Sequence, residues 1–391
     1  MQHLRGAASP AVAAMASLSL LLTAAPAGAG DHGNYAFCPP ARTTSASHLS
    51  WSHHKLAPGV TLGSTTMRGD RGKVEVRVLR IDLAQRGVSV APLHGALSSG
   101  RVLTSLAANR KLVAATNGMY FNLAYGAPKV PFISHRRPMV LTDRPQRVAG
   151  IGVNHRAQDG DVWLSGSVRS GDAIARLTAV NEPEVRQGLS VYTGAWGRRH
   201  IPLPSGAKSR EIRHGRIHSG VGRHRVTPHG GRLLVARGAA AIRWLRSLGR
   251  DVPVTMRLHV GTDAPVAFEQ AYGVGTHTVS RADQINTGLY CSHHEYYAAR
   301  TGIAWSRSHS TLMLVTAVSP RGPDHYGLDE NQMSALLVKL RAAGAYALDG
   351  GYSTGMVARL HHRHHHGLTL IAGHHHRQRQ IPVGVGVFYR R

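Results

Sequence analysis

An alternation of valine with charged residues is the sequence feature that most constrains the fold of this chain. Val74, Val76 and Val78 alternate with Glu75 and Arg77. This period of two places the valines on one face of an extended strand, and that face must be buried by pairing in a sheet and packing against other elements. Further short apolar segments with strand character lie at residues 112–116, 233–236, 252–260 and 311–318. The sequence therefore predicts a core built on β-sheet.

Helical signals are fewer than strand signals. The last helical segment is the most strongly indicated, because Asp329 and Gln332 have the spacing of a capping box and Gly344 stands where a helix end is expected. The predicted fold class is α+β, with a mixed β-sheet core and a few packed helices in a single domain. Helices are predicted at residues 102–109, 238–248 and 330–343.

The composition divides the chain into three parts. Residues 1–29 have a basic start, an apolar run and the small residues Ala27-Gly28-Ala29, which together predict a signal peptide cleaved near Ala29. Residues 30–72 are rich in small and polar residues and are expected to form a loosely structured arm. Residues 73–391 are expected to form the folded domain. The protein is therefore expected to be secreted, without a stable membrane anchor.

Neither the cysteines nor the histidines predict a metal site. Cys38 and Cys291 are the two cysteines, and their spacing does not decide whether they are bridged in an oxidising compartment. Histidines cluster at residues 361–366 and 374–376. Consecutive histidines on a loop cannot all converge on one ion, and no carboxylate lies within these clusters. We therefore expect no metal and no cofactor.

The charge balance indicates an anionic partner. Lysine and arginine total 47 against 20 acidic residues, which gives a formal net charge of +27. Such a charge attracts anionic surfaces at long range. The basic residues are spread along the chain rather than gathered in one run, which disfavours a specific nucleic-acid partner. A phosphorylated carbohydrate or an anionic cell-wall polymer is the expected partner, and the oligomeric state stays open.

The segment at residues 345–356 is the most informative for chemistry. A short apolar strand runs into Asp349, Gly350 and Gly351, and the hydroxyls of Ser353 and Thr354 follow. Glycines let backbone N–H groups approach an anion closely, although an Asp-Gly pair is also common in simple turns. An anion-binding loop and a plain tight turn both fit this spacing.

Two other segments join this late loop in a pattern that resembles the phosphodiester glycosidase family. Asn117-Gly118-Met119-Tyr120-Phe121 is similar to the family's early N-G-G-F-F-like turn, and Arg300-Thr301-Gly302-Ile303-Ala304 is similar to its R-T-A-I-G strand start. Leu348-Asp349-Gly350-Gly351-Tyr352-Ser353 resembles its L-D-G-G-G-S loop, which is the most specific of the three. The resemblance extends over roughly residues 73–390. It implies a secreted hydrolase that cleaves a sugar-1-phosphodiester in a phosphorylated glycan or cell-wall polymer.

The resemblance also implies residue roles. Asp349 is expected to be the catalytic base or nucleophile, Arg300 a clamp on the phosphate, and Asn117 a hydrogen-bond partner of sugar or phosphate. Two structural alternatives stay open, in which Arg300 pairs with Asp349 or Asn117 only holds its turn. Substrate binding is expected from Gly118, Thr301, Gly350, Gly351, Ser353 and Thr354.

Two rival functions belong to other classes. A non-catalytic exported protein of the same fold would bind polyanions or the cell wall through its positive charge, because a fold does not guarantee an activity. A secreted nuclease is disfavoured, because no paired carboxylates suited to two metal ions are apparent. Release of free sugar from a sugar-1-phosphodiester distinguishes the hydrolase from the binding protein.

Overall fold

The computed structural model of the chain describes residues 49–108, 111–275, 277–280, 284–285, 297–322, 326–360, 367–375 and 377–390. Of these residues, 50% lie in strands and 9% in helices. The fold is therefore mainly β, with less helix than the expected α+β class implies. Within these ranges, no helix is long and apolar enough to cross a membrane. The predicted signal peptide, both cysteines and the histidines at 361–366 lie outside the described residues.

The first sheet contains the alternating valines. Val74, Val76 and Val78 are buried, and they pack with Met333 of the helix Glu330–Lys339. The next apolar residues along this strand turn to the opposite face and join the largest core cluster, so the sheet is covered on both sides. Its eight strands follow the order Ser52–Ala57, Val60–Gly69, Gly72–Asp82, Thr311–Val318, Arg300–Trp305, Gly344–Ala347, His277–Ser280 and Gln284–Ile285.

The first two strands of this sheet correct the predicted arm. Residues 30–72 are expected to be loosely structured, but Ser52–Ala57 and Val60–Gly69 pair antiparallel with each other. Val60–Gly69 then pairs with Gly72–Asp82 over ten residue pairs. On Val60–Gly69, Thr66 and Arg68 are exposed, whereas Val60, Leu62 and Thr65 are buried.

The three predicted helices are all present, and each is shorter than predicted. They are Leu103–Leu106, Ala239–Ser247 and Glu330–Lys339. The capping box is confirmed, since Asp329 accepts a hydrogen bond from the Gln332 backbone at 2.7 Å and the Gln332 side chain accepts one from Asp329. The end predicted at Gly344 is wrong. Arg341 adopts a left-handed φ of 61° there, and the bonds from Arg341 and Ala342 N–H back to the last turn end the helix earlier.

A second sheet holds eleven strands. The long strand Ala157–Ser170 pairs with both Gln146–Gly152 and Ala173–Val180, which closes the middle strands into a ring. The pairing of Ala173–Val180 with Gly188–Tyr192 is parallel. The order is Arg216–Ile217, Lys208–Arg213, Arg232–Arg237, Gly188–Tyr192, Ala173–Val180, Arg137–Thr142, Phe132–Ser134, Phe268–Gly273, Gln146–Gly152, Ala157–Ser170 and Thr255–Thr262.

A third sheet and a short ribbon complete the β structure. The ribbon pairs Phe121–Asn122 with Ala127–Pro128 and projects from the end of the strand Leu112–Asn117. Side chains of the first, second and third sheets meet in the largest core cluster. The five strands of the third sheet follow the order Leu368–Ala372, Met356–Arg359, Leu112–Asn117, Val383–Tyr389 and Val88–His94.

Candidate active site

The structure brings the three predicted segments together where the first and third sheets adjoin. The loop at residues 348–355 leaves the strand Gly344–Ala347 of the first sheet and enters Met356–Arg359 of the third sheet. Along this crossing, the Asp349 N–H donates to the Gly118 carbonyl at 3.1 Å, and the Gly351 N–H donates to the Ala299 carbonyl at 2.8 Å. The late loop is thereby tied to both the early turn and the arginine strand.

Asn117 is the central link between these segments. Its side chain is fully buried, and its Nδ2 donates to the Asp349 carbonyl at 2.7 Å and to the Gly118 carbonyl at 3.3 Å. Its Oδ1 accepts from Thr301 Oγ1 at 2.8 Å and from the Gly355 N–H at 3.1 Å. Both donors and both acceptor positions of the amide are thus used within the protein. This geometry favours the structural alternative for Asn117, in which it positions the loop rather than contacting substrate.

Two glycines of the site are required by their surroundings. A Cβ added to Gly118 would lie 2.8 Å from the Val383 carbonyl oxygen, a distance that the backbone could accommodate only by moving. Gly351 has a φ of 58°, in the left-handed region that glycine adopts without strain. Its bend starts the short 3₁₀ turn Gly351–Ser353. The late segment is therefore a tight turn, which is one of the two interpretations that its spacing allowed.

Asp349 lies half-buried at the start of this turn. Its Oδ1 accepts a hydrogen bond from the Gly350 N–H at 3.1 Å. Burial is the largest influence on the carboxyl and raises the pKa of Asp349 above its ordinary value, while Ser353, Arg379 and Lys129 oppose that rise. Ser353 Oγ completes no hydrogen bond of good geometry, yet its proximity favours the charged carboxylate. Asp349 is therefore a desolvated carboxyl under the influence of two cations.

Arg300 has a different partner from the one considered in the sequence. Its Nε donates to the Leu328 carbonyl at 2.9 Å, and its Nη1 lies 3.7 Å from Glu330 Oε1. Both side chains of this ion pair are largely buried, at 15% and 17% exposure. The cations with the largest effect on Asp349 are instead Arg379 and Lys129. The alternative in which Arg300 pairs with Asp349 is not the arrangement observed.

The remaining predicted site residues differ in burial. Thr301 and Thr354 are both 2% exposed, and their hydroxyls lie 3.3 Å apart, so they brace the interior of the loop. Ser353 is also buried, at 5% exposure. Gly350 and Gly351 are only partly buried. Their N–H groups already donate to the Asp349 carboxylate and to the Ala299 carbonyl, so these glycines shape the loop around Asp349.

Tyr120 is a site residue to which the sequence assigned no role. Burial raises its pKa to about 12, and the negative charges of Asp349 and Glu330 add to the effect, while Arg300 opposes it. The phenol therefore stays protonated at neutral pH and can donate a hydrogen bond beside the Asp349 carboxyl. Its place in the early motif was the available signal, but the motif alone did not show that the phenol is buried within the electrostatic influence of Asp349.

Lys129, Arg379 and Glu330 were also missed. Lys129 follows the ribbon, and its N–H donates to the Tyr120 carbonyl at 3.3 Å. Arg379 lies beyond the histidine-rich segment, with its guanidinium carbon 5.3 Å from the ring centroid of the exposed Tyr352. Neither cation stands within a recognisable motif. Glu330 begins a helix, and an acidic residue at that position is commonly explained by its favourable interaction with the helix dipole.

Metal-binding side chains are not gathered at this site. Among the residues that the structure describes, no group of three or more histidine, cysteine, aspartate or glutamate side chains is placed to hold a metal ion. The chemistry available at the site is that of one half-buried carboxyl, a protonated phenol, backbone N–H groups and nearby cations. Such a set can stabilise an anion and act on a carbon centre next to it.

Comparison with known proteins supports the resemblance over part of the chain. Residues 212–388 match the family model described as phosphodiester glycosidase. That range contains Arg300 and Asp349, whereas Asn117 lies outside it. No curated protein matches the chain in sequence.

Two of the solved structures that align with this chain share its fold. A hypothetical protein from Synechocystis aligns with 88% of this chain at a TM-score of 0.68 and 20% identity, and the chain spans 65% of that protein's length. A Burkholderia pseudomallei protein named as exported aligns with 81% of this chain and 74% of its own, at a TM-score of 0.63 and 15% identity. The zebrafish N-acetylglucosamine-1-phosphodiester alpha-N-acetylglucosaminidase catalytic domain, auto-inhibited by pro-peptide, aligns with 88% of each chain at a TM-score of 0.41 and 14% identity. Over residues 212–388, this chain is therefore similar to the phosphodiester glycosidase family.

Proposed function

We propose that this protein is a secreted hydrolase that cleaves the bond between a sugar and phosphate in a sugar-1-phosphodiester. The substrate class is a phosphorylated glycan or a phosphate-bearing cell-wall polymer. The observation that carries the proposal is the position of Asp349, a desolvated carboxyl with Arg379 and Lys129 acting on it and the Tyr120 phenol nearby. The phosphodiester glycosidase match over residues 212–388 supports the same chemistry.

The nature of the leaving group explains how one carboxyl could be enough for catalysis. Cleavage of the anomeric C–O bond sends the bonding electron pair to a phosphate monoester, whose second pKa is near 6. Such a group leaves far more readily than a sugar alkoxide, so strong general-acid catalysis is less necessary than in ordinary glycosidases with two carboxyls. Tyr120 can donate a hydrogen bond to a phosphate oxygen, and the cations can stabilise the charge that develops there.

Asp349 then acts at the anomeric carbon. As a base it takes a proton from the attacking water, and as a nucleophile it forms a glycosyl ester that water hydrolyses in a second step. Both routes place the water oxygen on the sugar. Because a pKa above the ordinary value makes a carboxylate a stronger base, the desolvated setting of Asp349 suits either role.

The residues that we propose to bind the phosphate differ from the arginine expected from the sequence. Arg300 binds Glu330 and the Leu328 carbonyl. We therefore propose that it holds Glu330 in place near Tyr120 rather than binding phosphate. Arg379 and Lys129 are the proposed phosphate contacts. Asn117 and Thr301 position the loop from beneath.

Hydrolysis in ¹⁸O-labelled water tests the proposal. Full-length protein is incubated with a panel of sugar-1-phosphodiesters, and both products are analysed by mass spectrometry. We expect the label in the free sugar and none in the phosphate. Label in the phosphate would identify a phosphodiesterase instead, and binding without any turnover would favour the non-catalytic polyanion-binding protein.

A further inference from the structure

A second basic site lies at the far end of the ribbon from Asp349. It is a cleft of about 610 Å³ lined by Arg199, Arg225 and Arg237, and we call it the arginine cleft. Its volume falls in the range of ordinary ligand-binding pockets. The residues Tyr125 and Ala124, at the tip of the ribbon, form part of its wall.

Two of the three lining arginines, Arg199 and Arg237, are held by backbone carbonyls rather than by carboxylates. Arg199 donates to the carbonyls of Tyr125 and Ala124 at 3.0 and 2.8 Å. Arg237 donates to the Val185 carbonyl at 2.8 Å. Within the described residues, none of the three lining arginines has an ion pair with a carboxylate within 4.0 Å. Carbonyl bonds fix the orientation of a guanidinium but leave its full charge uncompensated.

The acidic groups near the cleft do not cancel this charge. Glu184 lines the cleft and is exposed to solvent. A fourth guanidinium, that of Arg223, donates to the carbonyls of the lining residues Pro204 and Leu203, each at 3.2 Å. The lining therefore contains three arginines and one exposed carboxylate, with the guanidinium of Arg223 bound to lining carbonyls. Guanidinium groups bind phosphate oxygens through paired N–H donors.

The floor of the cleft is rigid and apolar. Val185, Ile201 and Leu203 line it and belong to a buried cluster with Trp196 and with Ala127 of the ribbon. A fixed floor holds the arginines at a constant distance from the ribbon. An apolar floor beneath a cationic rim also suits a ligand that alternates phosphate with short carbon units.

The ribbon links this cleft to the candidate active site. Tyr120 and Lys129 lie at its base, beside Asp349, and their backbones are joined by a hydrogen bond of 3.3 Å. Ala124 lies four positions after Tyr120, a span of at most about 13 Å in extended conformation. Positive charge is thus present at both ends of the ribbon, from Lys129 at its base and from Arg199 at its tip.

From this arrangement we infer that the arginine cleft binds a second phosphate of the same substrate chain. The substrate is then a polymer of successive phosphodiesters rather than a single sugar-1-phosphodiester. This inference rests on the proposed function, because it takes the Asp349 site as the place where the first phosphate binds. It specifies the substrate as a chain with at least two phosphates within reach of the ribbon.

Equilibrium binding tests the cleft independently of turnover. The full-length Asp349→Asn protein is titrated with glycerol phosphate oligomers that contain one, two and four phosphodiesters, at two salt concentrations. We expect affinity to rise about tenfold or more from the shortest to the longest oligomer, the scale of one or two charge-assisted hydrogen bonds. We expect this gain to be lost in Arg225→Gln, whose exposed side chain can be changed without disturbing the core, and to be partly retained in Arg225→Lys.

The matched control is Arg257→Gln, an exposed arginine on the strand Thr255–Thr262 outside the cleft. Equal affinity for all three oligomers would overturn the inference. An equal loss in Arg225→Gln and Arg257→Gln would also overturn it, because the binding would then be a general effect of positive charge. If the length-dependent binding is found but no sugar-1-phosphodiester releases sugar in labelled water, the proposed hydrolase fails while the polyanion site stands.

Discussion

Asn117 and Asp349 lie 232 positions apart in the sequence and are joined by a hydrogen bond of 2.7 Å from the Asn117 Nδ2 to the Asp349 carbonyl. The same amide also accepts hydrogen bonds from Thr301 and from the Gly355 backbone. One buried side chain therefore fixes the position of the loop that carries the candidate catalytic carboxyl. Its contribution is to geometry, and the chemistry belongs to the residues around Asp349.

Asn117→Ala is expected to reduce both stability and kcat. It leaves the Gly355 N–H and the Asp349 carbonyl without their partner and the Thr301 hydroxyl with Thr354 alone, and each buried polar group left unsatisfied costs about 1–3 kcal/mol. The free energy of unfolding is measured by urea titration. The control is Asn154→Ala, which removes an exposed asparagine with one hydrogen bond to the Arg156 N–H. Similar losses in the two variants would contradict the linking role of Asn117.

Asp349→Asn is expected to lower kcat about 10²–10⁴-fold without lowering the melting temperature. Burial raises the pKa of Asp349 above its ordinary value. The fold therefore disfavours the charged form, and this group's contribution to stability decreases as pH rises from the ordinary pKa through the folded one. Asparagine keeps an acceptor for the Gly350 N–H and removes the desolvated charge at neutral pH. Folded Asp349→Asn protein with near wild-type kcat would exclude the catalytic assignment.

Arg379→Gln is expected to move the acidic limb of the kcat/KM pH profile to higher pH. The Arg379 charge favours the ionised carboxyl and opposes the rise in the pKa of Asp349, so its removal lets that pKa rise further. Arg379→Lys retains the charge and should move the limb less. Arg377→Gln is the control, because that arginine is exposed nearby on the same segment. An unchanged limb in Arg379→Gln would mean that another group controls it.

Glu182→Gln is expected to stabilise the protein above pH 7. Glu182 is 4% exposed, and burial raises its pKa from 4.5 to about 7. Because the folded pKa is the higher one, wild-type stability falls relative to the variant as pH increases between these two values, by up to about 3 kcal/mol. Urea unfolding at pH 4, 6 and 8 measures the difference. The exposed Asp172→Asn should give none, and equal stability of wild type and Glu182→Gln at pH 8 would refute the effect.

Much of the local structure followed from short-range sequence patterns. The alternation at Val74, Val76 and Val78 predicted a buried strand, and Asp329 with Gln332 predicted a helix start that the structure confirms. These patterns succeed because side-chain periodicity and capping involve residues only a few positions apart. The loose structure expected over residues 30–72 was wrong over residues 52–69 for the same reason. Ser52–Ala57 pairs with Val60–Gly69, which pairs in turn with Gly72–Asp82, so these strands depend on their neighbours rather than on their own composition.

The sequence by itself determined the three motifs and their order, and with them the likeness to phosphodiester glycosidases. Tertiary structure alone decided the partners: Asn117 became a buried link, Arg300 paired with Glu330, and Lys129 and Arg379 came to act on Asp349. The physical reason is that burial and the distance between charges depend on how sheets pack across hundreds of residues. A local motif shows which groups are present, but the pKa of a carboxyl depends on the water excluded around it and on the charges brought near it.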